Sequence, residues 1–189
     1  MDMIAGARIL NRLVAAVFSL FMTCAMAMAL DQEKLDGLFA RLQTAGAEEA
    51  GRIEAEIWIE WSKSGSPAMD LLLQRGRDAM AAGDNLTAVQ HFTAIIDQSP
   101  DFAEAWNARA TAFYNSGDYG PAVVDIAHVL TLNPRHFGAM SGFGMILEET
   151  GKTEQALEVY KAALALQPHL EGVIDAIQRL ETQAEGQEL

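Results

Sequence analysis

Cysteine is nearly absent from this sequence, because the only thiol is Cys24, close to the amino terminus. If the chain is cleaved after Ala29, as the residues around that position predict, no cysteine remains in the mature protein. Disulfide bonds and thiol catalysis are then excluded from the mature protein, whatever the redox state of its compartment.

Basic residues are also scarce, with 13 lysines and arginines against 26 acidic residues and a formal net charge of −13. An acidic surface repels phosphate, so nucleic acid and anionic membrane surfaces are not expected as partners. A neutral or basic protein partner is compatible with this charge. The alternative interpretation is that the acidic residues serve only solubility.

The main apolar run of the amino-terminal segment is too short to span a membrane comfortably. This run, residues 13–22, follows Arg8 and Arg12 and precedes the small-x-small sequence Ala27-Met28-Ala29. A basic amino-terminal region, a short apolar core and such a cleavage sequence are typical of a secretory signal peptide. The sequence therefore predicts that residues 1–29 are a signal peptide.

Cleavage at this position would make Leu30 the first residue of the mature chain, which we expect to be periplasmic in a bacterium. Full secretion and membrane tethering are the alternative locations. An uncleaved segment would act as a membrane anchor. A lipoprotein would carry its lipid on Cys24, but Phe21, Met22 and Thr23 match the usual lipobox poorly.

Three residue types recur along the chain at a constant interval of 34 residues. A period of this size is typical of a solenoid of helix–turn–helix units, in which stacked neighbours bury the apolar faces that one unit cannot bury alone. The recurring positions are Gly83, Gly117 and Gly151; Ala88, Ala122 and Ala156; and Pro100, Pro134 and Pro168.

Other positions repeat in the same register when the units are counted from Met69, Ala103 and Phe137. The pattern resembles the tetratricopeptide repeat. The resemblance implies an all-α, right-handed solenoid of helical hairpins that binds another protein. The fourth, eighth, eleventh and twenty-fourth places carry it: Leu72, Trp106 and Met140; Gly76, Ala110 and Gly144; Ala79, Phe113 and Leu147; Phe92, Ile126 and Tyr160.

Simple physics accounts for the repeated residues. The small eighth residue and the alanine let two helices approach where they cross, and the glycine ends the first helix. The proline cannot continue a helix interior, so it separates one unit from the next. Trp106 is predicted to be buried between helices. The predicted units are residues 69–102, 103–136 and 137–170, with Asp84, Asp118 and Thr153 as caps of the second helices.

The segments on either side of the three units depart from the pattern. Residues 31–66 are predicted to form a degenerate helix pair, because their glycine and proline fall out of register. Trp58 and Trp61 are interpreted as its core, with a binding surface as the alternative. Residues 171–183 repeat only a first helix and are predicted to cap the array. Residues 184–189 lack apolar anchors and are predicted to fray.

No arrangement of catalytic or metal-binding residues stands out in the sequence. The glycines occur at repeat positions rather than in a phosphate-binding loop. No histidine has a histidine or carboxylate at convincing ligand spacing along a helix. We therefore predict a non-catalytic protein without cofactor or metal. The four histidines are His91, His128, His136 and His169.

The resemblance also implies a binding surface, because the concave face of the family comes mainly from the first helices. Asn107, Tyr114 and Asn115 are expected to hydrogen-bond an extended peptide, and two methionines to offer adaptable apolar contacts. Only Arg77 is basic among these places, so a clamp for a terminal carboxylate is not supported. The candidate groove residues are Arg77, Met80, Glu104, Asn107, Thr111, Tyr114, Asn115, Ser141, Met145 and Glu148.

The sequence as a whole predicts an interaction scaffold of the bacterial cell envelope, exported and without enzymatic activity. Its expected partner is a neutral or basic extended segment of another protein. The alternatives are a self-assembling structural module and an enzyme whose site forms across repeats.

Overall fold

The structure, a computed structural model, describes residues 32–187. The predicted signal peptide lies outside the described residues. Residues 32–42, which we label α1, are helical, and no strand occurs in the described part of the chain. The all-α prediction is confirmed. The later helices are α2 (Ala47–Trp61), α3 (Pro67–Ala81), α4 (Asn85–Gln98), α5 (Ala103–Asn115), α6 (Tyr119–Leu132), α7 (Phe137–Glu149), α8 (Thr153–Leu166) and α9 (Glu171–Gln187).

The chain forms two compact units, with the boundary after Ala40. In the described part of the first unit, Leu38 and Phe39 are buried. The second unit contains α2 to α9. Among the described residues, no helix combines the length and the apolar character needed to cross a membrane.

Helices α3 to α8 form the three predicted hairpins. Each first helix ends at a glycine in the left-handed backbone region, with φ of +79° at Gly83, +78° at Gly117 and +74° at Gly151. A side chain strains this conformation, which explains the recurrence of glycine there. Asp84 caps α4, since its carboxylate accepts from the backbone N–H of Thr87 at 3.0 Å, whereas Asp118 holds the cap position of α6 without a side-chain hydrogen bond. The prediction for Thr153 was wrong, because Lys152 holds the cap position and Thr153 begins α8.

The small residues at the eighth place lie where the two helices of a unit cross. A Cβ on Gly76 would overlap the ring of Phe92, and one on Gly144 would overlap the ring of Tyr160. Ala88, Ala122 and Ala156 are fully buried at the same crossings. The close approach that the repeat predicts is therefore realised, with the small residue of one helix packed directly on the large residue of the other.

Each core cluster joins one unit to the next, as stacking requires. Phe92 and Ile95 of α4 pack with Ala105 of α5, and Ile126 of α6 packs with Ala139 of α7. The last cluster joins α7 and α8 to α9 through Leu147, Tyr160, Val173, Ala176, Ile177 and Leu180. Helix α9 thus covers the end of the array, and it continues to Gln187, beyond the predicted end at residue 183.

Trp106 differs from its prediction, because it is only half-buried. Its indole Nε1 donates to the carbonyl oxygen of Pro100 at 2.9 Å, and its ring stacks on His128 at 4.2 Å between centroids. The guanidinium of Arg109 lies 5.0 Å from the centre of the same ring. The fourth place of this unit therefore lies at the edge of the core, where the indole keeps a polar partner.

Candidate functional site

Two adjoining pockets occupy the concave face formed by the first helices. The central pocket lies between α5 and α7 and has a volume of about 270 Å³. The cap pocket lies between α2, α7 and α9 and has a volume of about 690 Å³. Tyr114, Ser141 and Met145 line both pockets. Because they share these three side chains, the two pockets adjoin, and together they are called the groove below.

Most of the predicted groove residues meet in this groove. The wall of the central pocket contributed by α5 consists mainly of polar side chains, while Ala110, Ile126 and Ile146 give it an apolar floor. Met145 is 42% exposed and projects at the junction of the two pockets. The predicted residues that line one or both pockets are Asn107, Thr111, Tyr114, Asn115, Ser141, Met145 and Glu148.

The other three predicted residues, Arg77, Met80 and Glu104, line neither pocket. Met80 packs against the core of the first unit. Glu104 is only 3% exposed, so the expectation that it adds charge to an open groove was wrong. Its Oε1 accepts a hydrogen bond from Nη2 of Arg77 at 2.6 Å, which neutralises the one basic side chain of the predicted set.

The buried carboxylate of Glu104 is the centre of a network that joins all three units. Besides Arg77 of α3, it accepts from Asn107 of α5 at 3.2 Å and contacts Nε2 of His136 at 3.2 Å. The backbone N–H of Ala139 donates to Nδ1 of His136 at 3.0 Å, so the ring proton lies on Nε2 and points to Glu104. A buried carboxylate that is fully hydrogen-bonded in this way stabilises the arrangement of the first helices.

Helix α2 lies against the concave face. One stripe of α2, at residues 47, 51, 54, 58 and 61, faces the groove and the start of α7. The second half of the stripe carries the two tryptophans. Trp61 stacks on His136 with ring centroids 4.3 Å apart, and Trp58 meets His136 edge-on at 5.4 Å. The interpretation of these tryptophans as core of the helix pair was therefore wrong, since both are half-buried against α7.

The start of α7 is shaped to receive Trp58. A Cβ on Gly138 would lie 2.6 Å from Cη2 and 2.8 Å from Cζ2 of the Trp58 indole. The ring also meets Phe137 edge-on at 5.9 Å. The indole of Trp58 therefore fits here only because residue 138 is a glycine and has no side chain.

Polar contacts hold α2 and its flanks at both ends. Near its amino-terminal end, the side chain of Gln43 donates to the carbonyl oxygens of Ala165 and Leu166 at 3.1 and 2.8 Å. Nε2 of His169 lies 2.9 Å from the carbonyl oxygen of Ala45. Within the helix, Oε2 of Glu54 accepts from Gln167 at 2.6 Å, and beyond its end Oγ of Ser62 accepts from Arg77 at 3.0 Å.

The cap pocket has an acidic rim. Glu54, Glu149 and Glu171 have no cationic partner among the described residues, whereas Glu148 pairs with Arg179. Burial and then the charge of Glu148 raise the pKa of Tyr160, whose hydroxyl donates to Glu148 at 3.2 Å. Burial and then Glu149 raise the pKa of Tyr114. Both phenols are therefore neutral at ordinary pH, and the hydroxyl of Tyr114 can donate a hydrogen bond in the groove.

Sequence reasoning did not place α2 beside the groove, and it assigned no role there to His136, Gln167 or Tyr160. One signal was available in the repeat itself. The second place of the units is Asp70, Glu104 and Gly138, and a glycine inside the third first helix has no turn to explain it. The described residues include no cluster of three histidine, cysteine, aspartate or glutamate side chains that could hold a metal ion.

Comparisons with known proteins identify the family. Profiles of the tetratricopeptide repeat match residues 73–127 and 139–170. A TPR repeat-containing protein of Rhizobium etli is 37% identical over 138 residues, which cover 72% of this chain and 68% of the relative. The chain therefore belongs to the tetratricopeptide repeat (TPR) family, whose members are usually non-catalytic scaffolds.

Solved structures share the fold. The TPR domain of Sgt2 from Aspergillus fumigatus matches with a TM-score of 0.61 and 20% identity, over 65% of this chain and 83% of that domain. The first TPR of Spaghetti (RPAP3), bound to the HSP90 peptide SRMEEVD, matches with a TM-score of 0.59 and 20% identity, over 62% of this chain and 93% of that one. TPR domains of this fold thus bind peptide segments of other proteins.

Proposed function

We propose that this protein is a non-catalytic binding module that holds an extended segment of another protein in its concave groove. The observation that carries the proposal is the open groove between α5 and α7, with Thr111, Asn115 and Tyr114 on one wall and Met145 on the other. These side chains offer hydrogen bonds to a peptide backbone and an adaptable apolar contact. The groove is preformed, which lowers the entropy cost of binding.

The charge of the groove favours a neutral or basic segment. Glu148 and Glu149 stand at the end of α7. The peptide SRMEEVD bound by the Spaghetti domain is acidic. In the described part of the chain, the arginines nearest the groove are already paired, Arg77 with Glu104 and Arg179 with Glu148, so they are poorly placed to receive such a ligand.

The location is part of the proposal. Residues 1–29 have the order of charges, apolar residues and small residues that is typical of a signal peptide, which supports export to the bacterial periplasm. Sequencing the amino terminus of the exported protein tests this location, with Leu30 as the expected first residue. A start at Met1, or a lipid on Cys24, would contradict it.

The binding function is tested by removing exposed groove side chains. Thr111→Ala with Asn115→Ala should weaken binding about 30-fold, at roughly 1 kcal/mol for each of two lost net hydrogen bonds, and so lower partner recovery in a cross-linking pull-down from the native cells. The fold should be unaffected, since both side chains are exposed and exposed substitutions shift stability by less than about 0.5 kcal/mol.

The matched control changes Thr131 and Gln98 to alanine on the second helices. Thr131 is exposed and bonds the carbonyl four residues before it, as Thr111 does. We expect this control to keep full recovery. Equal recovery by the groove variant and the control, with both proteins folded, would move binding away from the concave face.

A further inference from the structure

The stripe of α2 that faces the groove changes character along its length. Its second half is large, because Trp58 and Trp61 pack against His136 and Phe137. Its first half carries the small residues Ala47 and Gly51, which line the cap pocket together with Glu54, opposite α7 and α9. The tryptophans therefore fix the helix in place, while the small residues keep the space beside it open.

The position of α2 is fixed independently at its two ends, as the contacts of Gln43, His169 and Ser62 show. Its adjacent stripe, Ala50, Ile53 and Ile57, is fully buried. Side-chain contacts and this burial together hold α2 in place beside the groove. The cap pocket beside it has the size of ligand pockets in general, about 300–1,000 Å³.

We propose that α2 is a wall of the binding site, and that the cap pocket receives a lysine or arginine side chain from the bound segment. This inference rests on the proposed function. It adds α2 to the helices that form the site, and it names the kind of side chain that the cap pocket accepts. Charge complementarity argues for a basic side chain, because Glu54, Glu149 and Glu171 line the pocket without a cationic partner among the described residues. Its one arginine, Arg179, is paired with Glu148.

Two glycines allow the groove to be filled without disturbing its walls. A Cβ on Gly51 of α2 or on Gly142 of α7 would meet no atom within 4 Å, and each glycine lines one pocket. Gly51→Leu therefore places a side chain into the cap pocket, and Gly142→Leu places one into the central pocket. Neither change alters the net charge, so non-specific attraction to an acidic protein is unaffected.

The probe is a short fluorescent peptide that alternates alanine and lysine, with an alanine–glutamate peptide for comparison, and binding to the full chain is followed by fluorescence anisotropy. We expect the lysine peptide to bind and the glutamate peptide not to bind. Gly51→Leu and Gly142→Leu should each weaken lysine-peptide binding about tenfold. Ala127→Leu, which adds the same side chain on an exposed part of α6, should leave binding unchanged.

The outcomes separate this inference from the proposed function. If Gly142→Leu weakens binding and Gly51→Leu does not, the proposal that α2 is a wall of the site is wrong, while the proposed binding function of the groove is supported. Unchanged binding by both would overturn both. Stronger binding by Gly51→Leu would also overturn the wall, because it would make α2 a cover that competes with the peptide.

A second variant tests the same proposal if Gly51→Leu destabilises the protein and lowers its melting temperature. Glu54→Gln keeps an oxygen acceptor for Gln167 and removes one negative charge from the pocket. This change should weaken binding of the lysine peptide several-fold and leave binding of a neutral alanine–serine peptide unchanged. Equal binding of the lysine peptide by Glu54→Gln and the unchanged protein would overturn the assignment of a basic side chain.

Discussion

The indole of Trp58 occupies the space that a side chain at residue 138 would need. A Cβ there would come within 2.6 Å of the ring, so the glycine of α7 and the tryptophan of α2 fit only as a pair. The two residues are far apart in sequence and lie in helices that the repeat pattern does not connect. Their fit fixes where α2 lies on the concave face.

Gly138→Ala should destabilise the protein by about 1–3 kcal/mol, since the added methyl group must displace a packed ring. Gly142→Ala is the control one turn later in the same helix, where a Cβ meets no atom within 4 Å. It should stabilise the protein by about 0.5–1 kcal/mol, because alanine is favoured over glycine inside a helix. Urea unfolding midpoints measure both changes, and shifts of the same sign would contradict the fit between Trp58 and residue 138.

Glu104→Ala should cost about 3 kcal/mol, because it leaves the buried His136 and the guanidinium of Arg77 without their shared carboxylate. Glu181→Ala is the control, since its ion pair with Lys161 is exposed and such pairs contribute less than about 1 kcal/mol. Denaturant titration compares the two variants. Similar midpoints for both would show that the network of Glu104 does not join the first helices.

Stability should fall in alkaline solution through Tyr160. Its pKa is raised in the fold, first by burial and then by Glu148. A raised pKa gives stabilisation that is complete below the ordinary tyrosine value of about 10 and is lost as the pH rises toward the folded value. Tyr160→Phe should therefore show a smaller alkaline loss of melting temperature than the unchanged protein. Melting temperatures of both proteins at neutral and at alkaline pH give the comparison, and equal losses would contradict this role of Tyr160.

Ala122→Leu should destabilise the protein by about 1–3 kcal/mol, because Ala122 is fully buried where α5 and α6 cross. Ala127→Leu adds the same side chain at an exposed position of α6 and should shift stability by less than about 0.5 kcal/mol. Thermal melting measures both. An unfolding midpoint for Ala122→Leu that equals that of the control would contradict the repeat register.

The three hairpins could be predicted from the sequence because their determinants are local and periodic. A glycine at φ near +79°, such as Gly83, is required by the turn, and a small residue such as Gly76 is required by the crossing. Each requirement appears at the same place in every unit. The side chains of α5 that line the central pocket follow from the same register, since first helices face the concave side.

The position of α2 could not be predicted, because its apolar stripe has the same pattern whether it packs on the end of an array or across its face. The pairing of Arg77 with Glu104 was hidden for a related reason. Both residues occupy groove positions of their own units, and only the stacked structure shows that neighbouring units bring them to 2.6 Å. Hydrogen bonds between side chains of different units do not produce a regular spacing along the sequence, so the sequence alone does not predict them.

The hydrogen bonds from Gln43 to Ala165 and Leu166 join residues 122 and 123 positions apart. In an ordinary repeat array each unit touches only its neighbours, so units can be gained or lost during evolution with little effect on the others. Here the segment before the first unit reaches the carboxyl-terminal end of α8, which belongs to the last unit. An inserted or deleted unit would separate Gln43 from the end of α8, so these hydrogen bonds match the segment before the array to an array of three units.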